Sequence, residues 1–364
     1  MDHDGLERLY LETITGKRRG FGASLLRGVL ATAEMPYAGA MRARNALFDA
    51  GIKQTIDLRR PTISVGNLTA GGTGKTPVVR WLAERFLADK LKPAVLTRGY
   101  TKEGNATSDE AFLLERAIGP IGIVTVNSSR ATGAEQTLAE HPDVSVFILD
   151  DGFQHRSARR DVDLVLVNAA DPFGHGHVHP RGLLREPISG ISRASAILLT
   201  HATRGSASID LTIHTLRQHN PTAPIFRCDH VLSGLRTTHR ALNDPPDAPL
   251  SLLQGKKFYA TAGIGHPQSL ETSLAPYGDN FVGHSWWDDH HTFSDADLNT
   301  LIHTATAHGA TAIITTEKDW SKLILNQTVL ESPIPFYRLD VGLRFHNGDE
   351  AQLYDLITQT IRAY

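Results

Sequence analysis

The chain reads as an α/β protein with a parallel sheet covered by helices on both faces, followed by a smaller C-terminal α/β domain. Three observations predict this. Near-uniform apolar segments of strand length, TISVGN, KPAVLT, VSVFIL, VDLVLVNA and SAILLT, alternate with helical stretches, the pattern of strands buried on both sides. The first of them gives way to a glycine-rich turn and then to a helix. A second strand and helix series begins at KKFYATAGIG, after the Pro- and Asp-rich stretch LNDPPDAP.

With 364 residues, 41% of them hydrophobic and 21% charged, the chain can bury two cores of ordinary size. We place the division so that 1–225 holds an N-terminal helical region and the larger domain, and 226–364 holds linker strands and the smaller domain. A formal net charge of −2 supplies no basic field, so nucleic acid is not an expected partner. The single cysteine, Cys228, excludes an internal disulfide or a thiolate metal cluster and suits a reducing compartment. The N-terminus lacks the basic start, compact apolar core and cleavage site of a secretory signal.

In chain order, FGASLLRGVLATAEMPYAGAM comes first, apolar but broken by Arg27 and Glu34, too interrupted for the ~20 residues that span a bilayer. Leu25, Leu26, Val29, Leu30, Met35 and Tyr37 interleave with Lys17, Arg18, Arg19, Arg27, Arg42 and Arg44. That suits either a basic amphipathic segment in a membrane interface or a helix packed on the protein's own core.

Next comes TISVGNLTAGGTGKTP, from Thr62 to Pro77. Gly71, Gly72 and Gly74, with Thr73 between them, let successive backbone N–H groups point into one concavity. Lys75 adds a positive charge, and Thr76 offers a hydroxyl to Mg²⁺ at the start of the helix TPVVRWLAERFLADK. The expected ligand is a nucleoside triphosphate, and the larger domain is then P-loop NTPase-like. The first glycine of the usual pattern falls at Thr69, so AGGTGKT is a displaced variant.

KPAVLTRGY is a second strand, ending at Arg98, Gly99 and Tyr100, and DEAFLLERAIG a helix. There Ser108 or Asp109 suits an N-cap and Glu110 a first-turn acid, while Asp109 is also a candidate general base. VSVFIL closes on Asp150 and Asp151, where P-loop proteins keep a Mg²⁺-holding carboxylate, and Asp150 is the metal-side candidate. Successive strand residues face opposite ways, which limits how many of the two reach one site. Turn capping is the plainer reading of the pair. Gly152, Phe153, Gln154 and His155 extend the string to DDGFQH.

GHGHVHP spaces His175, His177 and His179 alternately; on a strand they would share a face and suit Zn²⁺ or Ni²⁺. WWDDHHTF brings Asp288, Asp289, His290 and His291 beside aromatic bulk, where a histidine either pairs with a carboxylate or sits at the surface. IFRCDHVLSGLR and IPFYRLDVGLRF share an alternation that predicts an antiparallel two-stranded linker between the domains.

Taken together, VGNLTAGGTGKTP, LTRGY, SDE, DDGFQH, FGHGHVHPRGLLREP, AGIGHPQSL, WDDHHTFS and TTEKDW resemble, in order, the tetraacyldisaccharide 4'-kinase family, the lipid A 4'-kinases. The resemblance runs from about Tyr37 to Phe345. It implies ATP- and Mg²⁺-dependent phosphorylation of the 4'-hydroxyl of an acylated glucosamine disaccharide 1-phosphate, by a peripheral enzyme at the cytoplasmic face of the bacterial inner membrane. By motif it makes Asp109 the base and His290 its partner. Lys75 and Asp151 join them in the catalytic set, Gly71 to Thr76 hold ATP, and Thr76, Asp150 and Glu110 hold the metal. Arg98, Tyr100, Arg130, Gln154, Arg185 and Glu186 fall on the headgroup side. The chain departs from the family pattern at Ser108, Ala111, His175, His177, Arg181 and Leu183. A nucleotide-dependent switch or metal-insertion GTPase is the main rival, but in TTEKDW Lys318 directly precedes Asp319, without the intervening residue that guanine reading needs.

Overall fold

The first strand, β1 (Thr62–Asn67), is buried along its whole length, as are β2 (Pro93–Thr97), β4 (Val146–Asp150) and β6 (Ala196–Thr200). Strand β3 (Ile123–Val126) is only half-buried, and β5 (Val162–Asn168) and β7 (Ile225–Thr237) complete this series. The computed structural model describes residues 3–99, 114–115, 118–119, 122–205, 208–237, 248–264, 267–288 and 291–362. Tyr100, Asp109, Glu110 and His290 lie outside the described residues.

The chain divides into two units: Met1–Ala106, Ile121–His230 and Leu343–Tyr364 form the first, Thr107–Pro120 and Val231–Gly342 the second. In the first unit the strand order is β3-β2-β4-β1-β5-β6-β7, every neighbouring pair parallel. This is the parallel α/β sheet that the uniformly apolar strands predict, with the half-buried β3 at its edge. Helices α1 (His3–Ile14) and α2 (Phe21–Asp49) precede the sheet, α3 (Lys75–Ala88) follows β1, α4 (Arg130–Glu140) follows β3, and α5 (Ile209–His219) follows β6.

The apolar stripe of α3, Val78, Val79, Leu82, Ala83 and Phe86, is buried at helical spacing. The last helix, Asp349–Arg362, packs on α3: Trp81 Nε1 donates to Glu350 Oε1 at 2.9 Å and the Tyr354 hydroxyl to Arg85 O at 3.1 Å. The unit's core includes Leu68, Phe153, Val165, Ile197 and Leu199, with a second cluster around Leu96, Phe147 and Leu149. Phe153 is fully buried, which stabilises by about 2–3 kcal/mol. Gly66 allows it: a Cβ there would stand 2.7 Å from that of Phe153 and 2.6 Å from its backbone nitrogen.

In the second unit the order is β11 (Phe336–Phe345), β10 (Ala312–Thr315), β8 (Phe258–Gly263), β9 (Phe281–Trp287), again all parallel. Strand β7 runs beside β11, where Gly342 meets Ser233 and Arg236 Nε donates to Asp340 Oδ2 at 2.9 Å. One number rises as the other falls, the antiparallel pairing expected of these two segments. The helix Asp295–Ala307 opens on a capping box between Ser294 and Asp297. Among the described residues, no helix is long and apolar enough to cross a membrane.

Candidate active site

The glycine-rich turn sits at the carboxyl end of β1, flanked in the sheet by β4 and β5. Gly71 and Gly74 adopt φ of 115° and 76°, conformations that side chains resist. The first half of the turn is clamped by a segment more than a hundred residues away. Thr69 bridges Leu184 antiparallel, Ala70 N donates to Leu183 O at 2.7 Å, and Arg185 N to Leu68 O at 2.8 Å. Thr73 is buried and its Oγ1 has no hydrogen-bond partner among the described residues.

Lys75 Nζ donates to Asn67 Oδ1 at 3.2 Å and lies 3.3 Å from Asp151 Oδ1. Asp151 in turn receives both contacts of Arg185 NH1, at 2.8 and 2.6 Å. Burial raises the Asp151 carboxyl, but Lys75 and Arg185 outweigh it and hold the group below the usual carboxylate range. Asp150 is different. It is 8% exposed and accepts from Thr97 Oγ1 at 3.1 Å, and burial pushes its carboxyl up to about 6 against the pull of Lys75. Strand alternation does not separate the two aspartates, because Asp151 leaves β4 with φ of 51° and turns toward Lys75. Lys75, Arg185, Asp150 and Asp151 therefore stand together in the first unit.

The other candidates divide. Arg185 faces the cluster, and Arg98 is exposed at the end of β2. Arg130 is 2% exposed and NH2 donates to Asp150 O at 2.9 Å, so it braces the carboxylate's own backbone. Glu186 is equally buried: its oxygens accept from Gln154 Nε2, Asn45 Nδ2 and Arg193 NH2 at 3.1, 2.7 and 2.9 Å. Gln154 Nε2 also donates to Asn67 O at 2.9 Å, joining this network to the start of the turn. Burial, then the charges of Arg130, Arg98, Arg44 and Arg160, lowers His155 to about 4. Those guanidiniums oppose a positive charge on His155.

His175, His177 and His179 lie on no strand. His175 has φ of 66°, His177 Nδ1 is 3.3 Å from Glu34 Oε1, and His179 Nδ1 is 3.4 Å from the Tyr10 hydroxyl. Among the described residues no group of histidine, cysteine and carboxylate side chains is arranged to hold a metal ion.

Sequence reasoning passed over Asn67, Thr97, Thr200 and Asn45. Asn67, Thr97 and Thr200 close strands β1, β2 and β6 beside the turn, which was the signal available for them; Asn45 lies on helix α2 and gave none.

The profile of the tetraacyldisaccharide-1-P 4'-kinase (LpxK) family matches residues 26–362. The chain belongs to that family. A tetraacyldisaccharide 4'-kinase of Geobacter sulfurreducens is 34% identical over 326 residues, covering 85% of this chain and 88% of the relative. One from Desulfatibacillum aliphaticivorans is 32% identical over 365 residues, covering 94% and 95%. Among solved structures, an "apo" form of LpxK from Aquifex aeolicus in complex with ATP superposes with a TM-score of 0.71 at 24% identity, over 92% of this chain and 99% of that one. That likeness fixes the fold: α/β, with parallel sheets flanked by helices.

Proposed function

We infer that this kinase transfers the γ-phosphoryl group of ATP to the 4'-hydroxyl of a tetraacylated glucosamine disaccharide 1-phosphate, a step of lipid A biosynthesis. The observation that carries the reading is Lys75, set at the mouth of the glycine-rich turn between Asn67 and the Asp151–Arg185 pair. Backbone N–H groups of Gly71 to Thr76 and the Lys75 ammonium hold the triphosphate and stabilise charge that develops on its oxygens during transfer. Arg185, held by Asp151, presents a planar cation to an anionic oxygen.

The donor set fits Mg²⁺: Thr76 hydroxyl and Asp150 carboxylate are hard oxygen ligands, and Asp150 is a buried acid whose charge awaits a cation. Bound there, the ion would offset phosphate charge and fix the nucleotide's orientation. Asp109 takes the proton of the sugar hydroxyl with His290 as its partner, and Glu110 adds to the metal side; these roles rest on the family motifs. Arg98, Tyr100, Arg130, Gln154 and Glu186 belong to the headgroup side, Arg130 and Glu186 through the backbone and network they hold.

The same reading gives α2 a lipid surface. Phe21, Leu25, Val29 and Met35 are 86%, 61%, 55% and 75% exposed, apolar side chains on one face of the helix, with Arg18 and Arg19 exposed just before it begins. Tyr37 and Arg44 point the other way, donating to Arg185 O and Gln154 O at 3.0 and 2.6 Å. The protein is thus proposed to act as a peripheral enzyme on the cytoplasmic face of the inner membrane, where its acylated substrate lies.

The test is conversion of the disaccharide 1-phosphate to its 4'-phosphorylated product with ATP and Mg²⁺. Asp109→Ala should abolish turnover and keep ATP binding. ATP hydrolysis indifferent to the lipid, or full activity in that variant, overturns the assignment.

A further inference from the structure

The back of the phosphate turn is held by Thr200 and by a pair of half-buried histidines, His230 and His201, that the reaction does not use. Thr73 O accepts from Thr200 Oγ1 at 3.1 Å, and Gly74 O lies 3.3 Å from His230 Nε2. His230 Nδ1 stands 3.2 Å from His201 Nε2, the rings 4.5 Å apart. Gly74 is shaped to the ring: a Cβ built on it would fall 2.0 Å from His230 Cε1. His201, following Thr200 at the end of β6, takes φ of 53°, a backbone conformation that is strained in a residue with a side chain. Such strain persists where the surroundings hold it.

Hydrogen-bond chemistry orders the relay. A carbonyl only accepts, so Nε2 of His230 carries its proton, Nδ1 is then an acceptor, and Nε2 of His201 is the donor. That order belongs to neutral rings, the form that burial favours by lowering His201 and holding His230 at about 4. With the carbonyls of Thr73 and Gly74 drawn backward, the following N–H groups are free to face the phosphates.

We propose that His230, with its tautomer set by His201, is a positioning residue that holds the phosphate-binding turn in its ATP-receiving conformation. The proposal rests on the nucleotide reading of that turn. Calorimetric titration with Mg²⁺ and a non-hydrolysable ATP analogue, alongside steady-state kinetics, tests it. His230→Ala should weaken analogue binding about tenfold and raise the KM for ATP, with the KM for the lipid acceptor unchanged. His230→Gln, whose amide can donate to Gly74 O, should bind within about threefold of the parent. His201→Phe keeps a ring but loses the donor and should cost about threefold.

Binding by His230→Ala within twofold of the parent overturns the proposal, as does a His230→Gln variant as weak as the alanine one, since ring volume alone would then explain the loss. Unchanged affinity in His201→Phe removes the relay. A parent protein that fails to bind the analogue defeats the kinase reading itself, a result separable from these.

Discussion

Asp150→Asn should make the protein more stable and inactive at once, and the gain should depend on pH. The buried carboxyl is raised from 3.8 to about 6, so the folded state resists its ionisation. At about 1.4 kcal/mol for each tenfold change in proton affinity, that gap corresponds to ~3 kcal/mol as an upper bound on the cost of charging the group. Asparagine keeps an oxygen to accept from Thr97 and removes the charge. The sign follows from linkage. A group whose folded value is raised favours the folded state fully below 3.8, and that benefit is lost as pH rises through about 6. The variant should therefore unfold at higher urea than the parent at pH 8, by about 1–3 kcal/mol, with the difference shrinking toward zero near pH 4. Chemical denaturation across that range without Mg²⁺ measures it, and Mg²⁺ with ATP should stabilise only the parent. A variant less stable than the parent at pH 8, or a difference independent of pH, refutes the account of Asp150.

Arg185→Met removes the cation from Asp151. Activity should fall at least a hundredfold while stability changes by less than about 1 kcal/mol, because the pair is part-exposed and solvent-screened; kinetics beside thermal melting separates the two effects. Thr97→Val deletes a donor that lowers Asp150, so the acid limb of the activity profile should move to higher pH; a pH–rate series reads the shift. Gly66→Ala drives a methyl into Phe153 and its backbone, and should destabilise by about 2–4 kcal/mol or prevent folding, which soluble yield and melting temperature report.

Local pattern made much of this legible. Lys75, Thr76, Asp150 and Asp151 follow from strand, turn and helix signals within a few residues, and the parallel sheet from strands apolar on both faces. Period-two alternation failed at Asp151, because a residue in the left-handed region no longer obeys the strand's geometry. Arg185 was recognisable by motif, but not the bridge between Thr69 and Leu184 that delivers it: pairing across a long loop leaves no local trace. Histidines at alternating positions suggested a shared face, yet the glycines around them break the strand and send His175, His177 and His179 to separate partners. His230 carries no motif, and only its ring against Gly74 gives it a role.

Helix α2 joins two tasks on one rod. Its early turns carry the exposed apolar row, while Asn45, near its end, grips Glu186 and thereby the network beneath Lys75. From Val29 to Asn45 the helical path is roughly 24 Å at ~1.5 Å per residue, continuous helix with Pro36 inside it rather than a flexible tether. On the proposed membrane reading, the rod works as a gauge of height: how deeply its first turns sink decides how far above the lipid plane the phosphate donor waits, and so which hydroxyl of an anchored sugar comes within range.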